Sequence, residues 1–158
     1  MLFLIFNNDV SGSGSYAGNI QFRQGFEPGN SPGVITFGDG NVTFDIGSTL
    51  TMALFGLGSG EFDQLIDIDN LDFNGILAIE FGYSAGVGDT FDLFDVESFS
   101  GSFDTIVVTG LDSLLRLDTP SLTSNGMFRY RRSDTDKLYA AAPAGLFVSI
   151  KINAQPLH

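Results

Sequence analysis

The chain contains no cysteine and no tryptophan, and its single histidine is the last residue, His158. Without cysteine there is no disulfide framework and no thiol nucleophile. A histidine confined to the terminus excludes histidine-dependent catalytic triads and histidine-rich metal sites. Since no other catalytic constellation stands out either, we predict that the chain is not an enzyme.

Basic residues are also scarce, with 7 Lys and Arg against 19 Asp and Glu and a formal net charge of −12. None occurs between Arg23 and Arg116. An acidic body repels nucleic acid and anionic lipid, so neither is expected as a partner. The last third of the chain carries the remaining basic residues: Arg116, Arg129, Arg131, Arg132, Lys137 and Lys151.

Long apolar runs are missing as well. The run at residues 1–6 turns polar at Asn7, far short of the roughly 20 apolar residues that cross a bilayer. It also lacks the basic flank of a signal peptide. We therefore predict a first β-strand here and no membrane insertion. A secreted protein with this sequence would be a mature form or a fragment.

The chain is rich in two residue types, with 16 Phe and 20 Gly among 158 residues. Short apolar runs alternate with polar residues and end at glycine, which is the period of β-strands separated by turns. Such alternation predicts an all-β fold. Three runs illustrate it: Leu50, Met52 and Leu54; Leu77, Ile79 and Phe81; and Phe103, Thr105 and Val107.

A weak internal repeat favours one all-β architecture. Leu50 and Leu77 lie 27 residues apart (77 − 50), as do Met52 and Ile79. This period predicts a short right-handed parallel β-helix, in which stacked coils share one core. A two-sheet β-sandwich or jelly roll is the alternative. A spacing of 26 relates four more pairs: Leu65 with Phe91, Phe73 with Phe99, Gly75 with Gly101, and Leu77 with Phe103.

The pattern changes after residue 109, although no linker divides the chain into two domains. We predict a β-helical body at residues 1–109 and a C-terminal cap with strands and a tail at residues 110–158. Within the cap, residues 129–137 are expected to form an exposed hairpin or loop. Leu146, Val148 and Ile150 predict a last strand, and residues 153–158 a disordered tail.

Six short motifs occur in a fixed order along the chain. They are Pro28-Gly29-Asn30-Ser31-Pro32-Gly33, Gly47-Ser48-Thr49-Leu50, Phe62-Asp63-Gln64-Leu65, Gly75-Ile76-Leu77, Gly88-Asp89-Thr90-Phe91 and Ser100-Gly101-Ser102-Phe103. In this order they resemble the motifs of the β-helical passenger-type segments of bacterial autotransporters and related exported proteins, over roughly residues 7–108. The resemblance implies an extracellular, repetitive, non-enzymatic scaffold or adhesin and assigns no active site.

The expected function is therefore an extracellular structural or adhesive module, a rigid and self-assembling scaffold at a bacterial cell surface. Its partners would be copies of itself, other surface proteins or a polysaccharide. A carbohydrate-binding module is the first alternative. A β-helical polysaccharide lyase is the second, which the separation of acidic and basic residues along the chain disfavours.

Two groups of side chains could bind a ligand. Asp67, Asp69 and Asp72, with Asp63 nearby, offer the oxygen ligands that Ca²⁺ prefers, although the spacing is not that of an EF-hand loop. No other cofactor is expected. Arg129, Tyr130, Arg131 and Arg132 could bind an acidic polysaccharide through stacking and bidentate contacts. The competing interpretations are a solvated strand face for the acids and an exposed loop for the basic segment.

Overall fold

The structure is a computed structural model that describes residues 2–30, 32–118, 130–131 and 147–154. Within these ranges the regular elements are β-strands and no helix occurs, so the predicted all-β class is confirmed. The strands are β1 (Phe3–Phe6), β2 (Val10–Gly12), β3 (Gly14–Ser15), β4 (Asn19–Phe22), β5 (Gly25–Pro28), β6 (Val34–Phe44), β7 (Thr49–Leu54), β8 (Gln64–Phe73), β9 (Ile76–Phe81), β10 (Thr90–Gly101), β11 (Thr105–Thr109), β12 (Arg116–Asp118), β13 (Tyr130–Arg131) and β14 (Phe147–Ala154).

The strands form two parallel sheets. Sheet A has the order β1-β4-β6-β8-β10-β14-β12, with β3 also beside β6, and sheet B has the order β13-β11-β9-β7-β5-β2. From β4 to β11 the chain alternates between the sheets, and each strand from β4 to β9 pairs with the strand two elements later. Every ladder between named strands in the described residues is parallel.

Two of the three predicted alternating runs have the expected parity. Leu50, Met52 and Leu54 in β7 are completely buried, and β9 buries Leu77, Ile79 and Phe81 in the same way. The prediction for the third run is wrong, because β11 buries Ile106 and Val108, whereas Thr105 and Val107 lie on its other side. A bend at Asp104 separates Phe103 from the strand and shifts the parity by one residue.

The register between strands confirms one predicted spacing and corrects the other. Leu50 pairs with Leu77 and Met52 with Ile79, which is the 27-residue spacing. The 26-residue spacing is wrong. The turn at residues 102–104 is one residue longer than the turn at 74–75, and β10 also shifts register against β8 between Phe94 and Val96. The actual partners are Phe94 for Leu65, Gly101 for Phe73, and Ile106 for Leu77.

An aromatic stack crosses strands β1, β4 and β6 of sheet A. Phe6, Phe22 and Phe44 occupy equivalent positions in β1, β4 and β6. The rings of Phe6 and Phe22 stack with centroids 5.4 Å apart, and those of Phe22 and Phe44 stack at 5.3 Å. Parallel in-register pairing places like side chains above one another, and offset stacking of such rings adds to the energy of their burial. Nine of the 16 phenylalanines lie in the described core.

The C-terminal strands join the same two sheets. β14 lies between β10 and β12, so the last strand in sequence is not the last strand in sheet A. Asn153 and Ala154 pair with Asp95 and Val96, which overturns the predicted disordered tail at those two positions. Residues 155–158 lie outside the described residues. Leu111, Leu115 and Leu117 are buried and Leu114 is 71% exposed, in a turn followed by β12.

The predicted hairpin or loop at residues 129–137 also differs from the structure where it is described. Tyr130 and Arg131 form β13, which pairs in parallel with Ile106 and Val107 of β11. A hairpin would require antiparallel pairing. Parallel pairing along sheet B therefore extends to this segment, which sequence polarity alone did not indicate.

Gly75 offers a test of the corner between the sheets, with Gly60 as a matched control. Both have positive φ, 72° and 79°, but only Gly75 is crowded, since an added Cβ would meet the backbone oxygens of Ser48 and Asp45. We expect Gly60→Ala to cost about 1–2 kcal/mol and Gly75→Ala to cost more than about 3 kcal/mol, because overlap adds to strain. Urea unfolding measures both, and equal losses would contradict the close packing at this corner.

Candidate functional site

Several of the sequence motifs meet at one corner of the structure, where the chain passes from sheet A to sheet B. Ser48 is completely buried, and its hydroxyl and backbone N–H both donate to the Asp45 carbonyl. The N–H of Ile76 donates to the Ser48 carbonyl at 2.9 Å, and that of Asp104 to the Gly75 carbonyl at 2.8 Å. Backbone hydrogen bonds therefore link each of these turns to the next one along the corner.

Asp63 is a completely buried carboxylate that binds two backbone donors. Its Oδ1 accepts from the N–H of Gly33 and its Oδ2 from the N–H of Ala53, both at 2.6 Å. The backbone N–H of Asp63 donates back to the Ala53 carbonyl at 2.9 Å, and that of Gln64 to the Gly33 carbonyl at 3.0 Å. The side chain therefore joins the segment before β6 to strand β7.

The place of Asp63 follows from where β5 stops pairing with β7. These strands pair only through Gly25 with Thr49 and Phe26 with Leu50. Alternate residues of β5 face β7, and the next such position after Phe26 is Pro28. Because proline has no backbone N–H, the ladder between β5 and β7 ends there. Asp63 then provides both a donor and an acceptor for Ala53, as a neighbouring strand would.

Burial is the main cause of the raised pKa of Asp63. Desolvation raises its pKa above the ordinary value of 3.8, and the hydrogen bonds from Ala53 and Gly33 lower it by less. Glu27 and Glu80 add to the rise because like charges disfavour ionisation. Sequence reasoning grouped Asp63 with a calcium candidate, whereas the structure gives its oxygens to the backbone.

The other three candidate metal ligands lie along β8. Asp67 is exposed and has a φ of 56°, so it interrupts the alternation of buried and exposed residues along the strand. Asp69 and Asp72 are half-buried; Ser100 Oγ donates to Asp72 Oδ1 at 3.2 Å. In the side chains that the structure describes, no group of three or more acidic, His or Cys residues could hold a metal ion.

The basic segment is described only in part. Tyr130 and Arg131 are placed as backbone of β13 at the end of sheet B. Arg129 and Arg132 lie outside the described residues. The interpretation of these four residues as a polysaccharide site stays a prediction.

A polar ladder crosses sheet A that the sequence analysis missed. Asn41 Nδ2 donates to Asn19 Oδ1 at 2.9 Å, and Ser98 Oγ donates to Asn70 Oδ1 at 3.0 Å. Asn41 pairs in register with Asn70, and Asn70 with Ser98. The spacing between these residues is uneven, so no constant period could have revealed the ladder. Side-chain hydrogen bonds of this kind fix the register between strands.

A shallow groove of about 320 Å³ opens on sheet B, around the place where β5 and β7 part. Gly25 donates its N–H to Asp9 Oδ1 at 2.8 Å and so holds that carboxylate at the groove. Carboxylates and hydroxyls together can bind the hydroxyl groups of a sugar. The polar lining residues are Asp9, Ser11, Glu27, Thr49 and Thr51.

The first strand forms an open, apolar edge of sheet A. β1 pairs with β4 alone, and no described strand lies on its other side. Leu2, Leu4 and Ile5 are 89%, 53% and 39% exposed. Unpaired strand edges are templates for pairing with another chain. The apolar residues at positions 1–6 were predicted to form a strand, but only the sheet order shows that this strand is an edge.

Comparison with known protein families, characterised proteins and solved structures finds no match to this chain. The resemblance to passenger-type segments therefore remains a prediction that depends on the motifs themselves. In the part of the chain that the structure describes, no helix is long and apolar enough to cross a membrane.

Asp63→Asn tests whether the two hydrogen bonds from Gly33 and Ala53 hold the segment before β6 to strand β7. An amide has one acceptor oxygen, so one of the two N–H groups loses its partner and faces an NH₂ donor. We expect a loss of about 1–3 kcal/mol in the free energy of unfolding, measured by urea titration. The exposed Asp67→Asn is the control and should stay within about 0.5 kcal/mol of the parent. Equal effects would contradict the assigned role.

The same variant predicts a pH dependence. Because the folded pKa of Asp63 is raised, its stabilisation is fully present below its ordinary pKa and is lost as the pH rises through the folded pKa. The stability gap between the parent chain and Asp63→Asn should therefore narrow as the pH is raised from below 3.8, the ordinary pKa, to well above it. Urea unfolding across this range measures the gap, and a gap that widens with pH would reverse the assigned sign.

Proposed function

We propose that this chain is a short right-handed parallel β-helix that serves as a rigid extracellular structural or adhesive module. Strands that alternate between two parallel sheets support the coiled arrangement. Right-handedness is what parallel strands joined by a crossover adopt in about 98% of cases. The runner-up sandwich architecture is disfavoured because its ladders are antiparallel.

The observation that carries the proposal is the hydrophobic core of buried side chains that runs from Ile20 to Leu117. From Ile20 to Leu117 the described core is hydrophobic apart from Ser48 and Asp63. Both of these polar side chains bind backbone groups that hold turns and strands together. Ser48 and Asp63 therefore have a structural role, as expected of a structural module.

The location at a bacterial surface is proposed from the motif resemblance. Four of the six motifs take part in the contacts just described: two provide Gly33 and Asp63, and two provide Ser48 and Gly75. Motifs that interlock in this way suit a repetitive coil, which supports the same class. Copies of the chain and other surface proteins are the proposed partners.

A carbohydrate-binding module is the second candidate, because the groove on sheet B presents carboxylates and hydroxyls side by side. The predicted site at Arg129, Tyr130, Arg131 and Arg132 stays open beside it. The lyase remains the least favoured proposal, since its carboxylates and its basic residue would come from distant parts of the sequence.

A polysaccharide array that includes uronate polymers distinguishes these functions. For a scaffold we expect no saturable binding and no unsaturated product absorbing in the ultraviolet. A carbohydrate-binding module would bind one glycan saturably and lose most of this binding in Glu27→Gln but not in Glu97→Gln, an exposed acid on β10. Saturable binding or product release by the parent chain would overturn the scaffold proposal.

A further inference from the structure

The core of the protein is open at the end formed by β1. Leu4 occupies the position equivalent to Ile20 in β4 and Val42 in β6, both of which are completely buried. Leu4 itself remains 53% exposed. An inward-facing leucine with this exposure is a core residue that lacks a covering neighbour on one side.

The backbone of β1 is also open on that side. Phe6 directs its carbonyl toward β4, where it accepts from the N–H of Arg23 at 3.0 Å, and Leu2 accepts there from Asn19 Nδ2 at 3.2 Å. Backbone groups of alternate residues in a strand point to opposite edges. Phe3 and Ile5 therefore direct their N–H and C=O groups away from β4, where no described strand pairs with them.

Electrostatics favour a second copy of this chain as the occupant of the edge. The molecule carries a net charge of −12, so most faces of two copies repel each other. Residues 2–22 carry one charged side chain, Asp9. Two such ends can approach each other with the least repulsion while they cover apolar surface.

We propose that two copies associate head to head through β1, in antiparallel pairing centred on Leu4. A two-fold axis between identical ends makes the paired strands antiparallel. Phe3 of one copy then exchanges both backbone hydrogen bonds with Ile5 of the other, and Leu4 faces Leu4 at a Cα separation of about 4.5 Å. The core thereby continues across the axis.

This inference rests on the proposed scaffold function and specifies how the scaffold assembles. A heterologous contact between β1 and the C-terminal end of the next copy would instead produce open chains of molecules. The isologous contact closes after two copies. Particle mass therefore separates the two arrangements, and an open chain would overturn the proposal.

Leu4→Lys and Leu57→Lys form a matched pair, since the two leucines are 53% and 52% exposed and Leu57 lies in the β7–β8 loop. We expect the parent chain and Leu57→Lys to form dimers with equal affinity. Leu4→Lys should dimerise about a hundredfold more weakly or worse, because each dimer loses two buried leucines. Sedimentation equilibrium measures the affinities, and circular dichroism confirms that both variants fold.

A cysteine pair tests the register. The chain has no cysteine, so Leu4→Cys and Leu57→Cys each introduce one thiol. A facing pair of non-hydrogen-bonded antiparallel residues lies within disulfide reach. Under mild oxidation Leu4→Cys should form a disulfide-linked dimer rapidly and in high yield, and Leu57→Cys should not. Equal cross-linking of the two variants would contradict the register.

A parent chain that stays monomeric at all accessible concentrations would overturn the head-to-head contact. Loss of dimers in Leu57→Lys to the same extent as in Leu4→Lys would do the same. Neither result bears on the polysaccharide array, which tests the scaffold function in the monomer. Failure of the assembly is thus distinguishable from failure of the proposed function.

Discussion

The structure depends on parallel pairing between strands that are distant from each other in the sequence. Backbone N–H and C=O groups within the sheets are satisfied by the neighbouring strands. In-register pairing then places inward side chains of adjacent strands beside one another, so that each strand covers apolar surface of the next. The stacked rings of Phe6, Phe22 and Phe44 are one product of this constraint. One strand alone would leave both its backbone and its apolar side chains exposed to water.

The passage of the chain from sheet A to sheet B requires a tight turn, and the residues of this corner are in close backbone contact. Gly75 lies where a side chain would overlap the carbonyls of the turn below. Ser48 uses its hydroxyl to hold its own turn. Where Pro28 ends the pairing of β5 with β7, the buried carboxylate of Asp63 takes over the backbone groups. The backbone groups of turns and strand ends are thus satisfied by a few specific side chains, and the sheets between them tolerate uneven spacing between paired residues.

Charge and apolar surface are distributed differently along the molecule. The acidic residues of β8 and β10 lie outside the core, where water solvates them and where they keep similar molecules apart. Residues 2–22 carry one charged side chain, and the core is open at Leu4. Acidic sides together with an apolar edge at β1 favour association in a defined direction. This distribution connects the proposed scaffold function with the inferred contact.

Local patterns in the sequence were sufficient for part of the fold. Alternation of apolar and polar residues predicted the all-β class, the inward faces of β7 and β9, and the pairing of Leu50 with Leu77, because side-chain direction in a strand follows from its two-residue period. The same approach failed at Phe103, where a bend shifts the parity, and at the 26-residue spacing, where turns differ in length. A change of one residue in a turn leaves composition unaltered and moves every following pair.

The sequence by itself therefore determined the type of element, the faces that enter the core and the uneven distribution of charge, since each depends on residues near one another in the chain. Only the tertiary structure decided that Asp63 binds Gly33 and Ala53, that β14 lies between β10 and β12, and that β1 is an open edge. Each of these depends on which distant backbone groups meet in space. Hydrogen bonding between such groups has no periodic signature in the sequence.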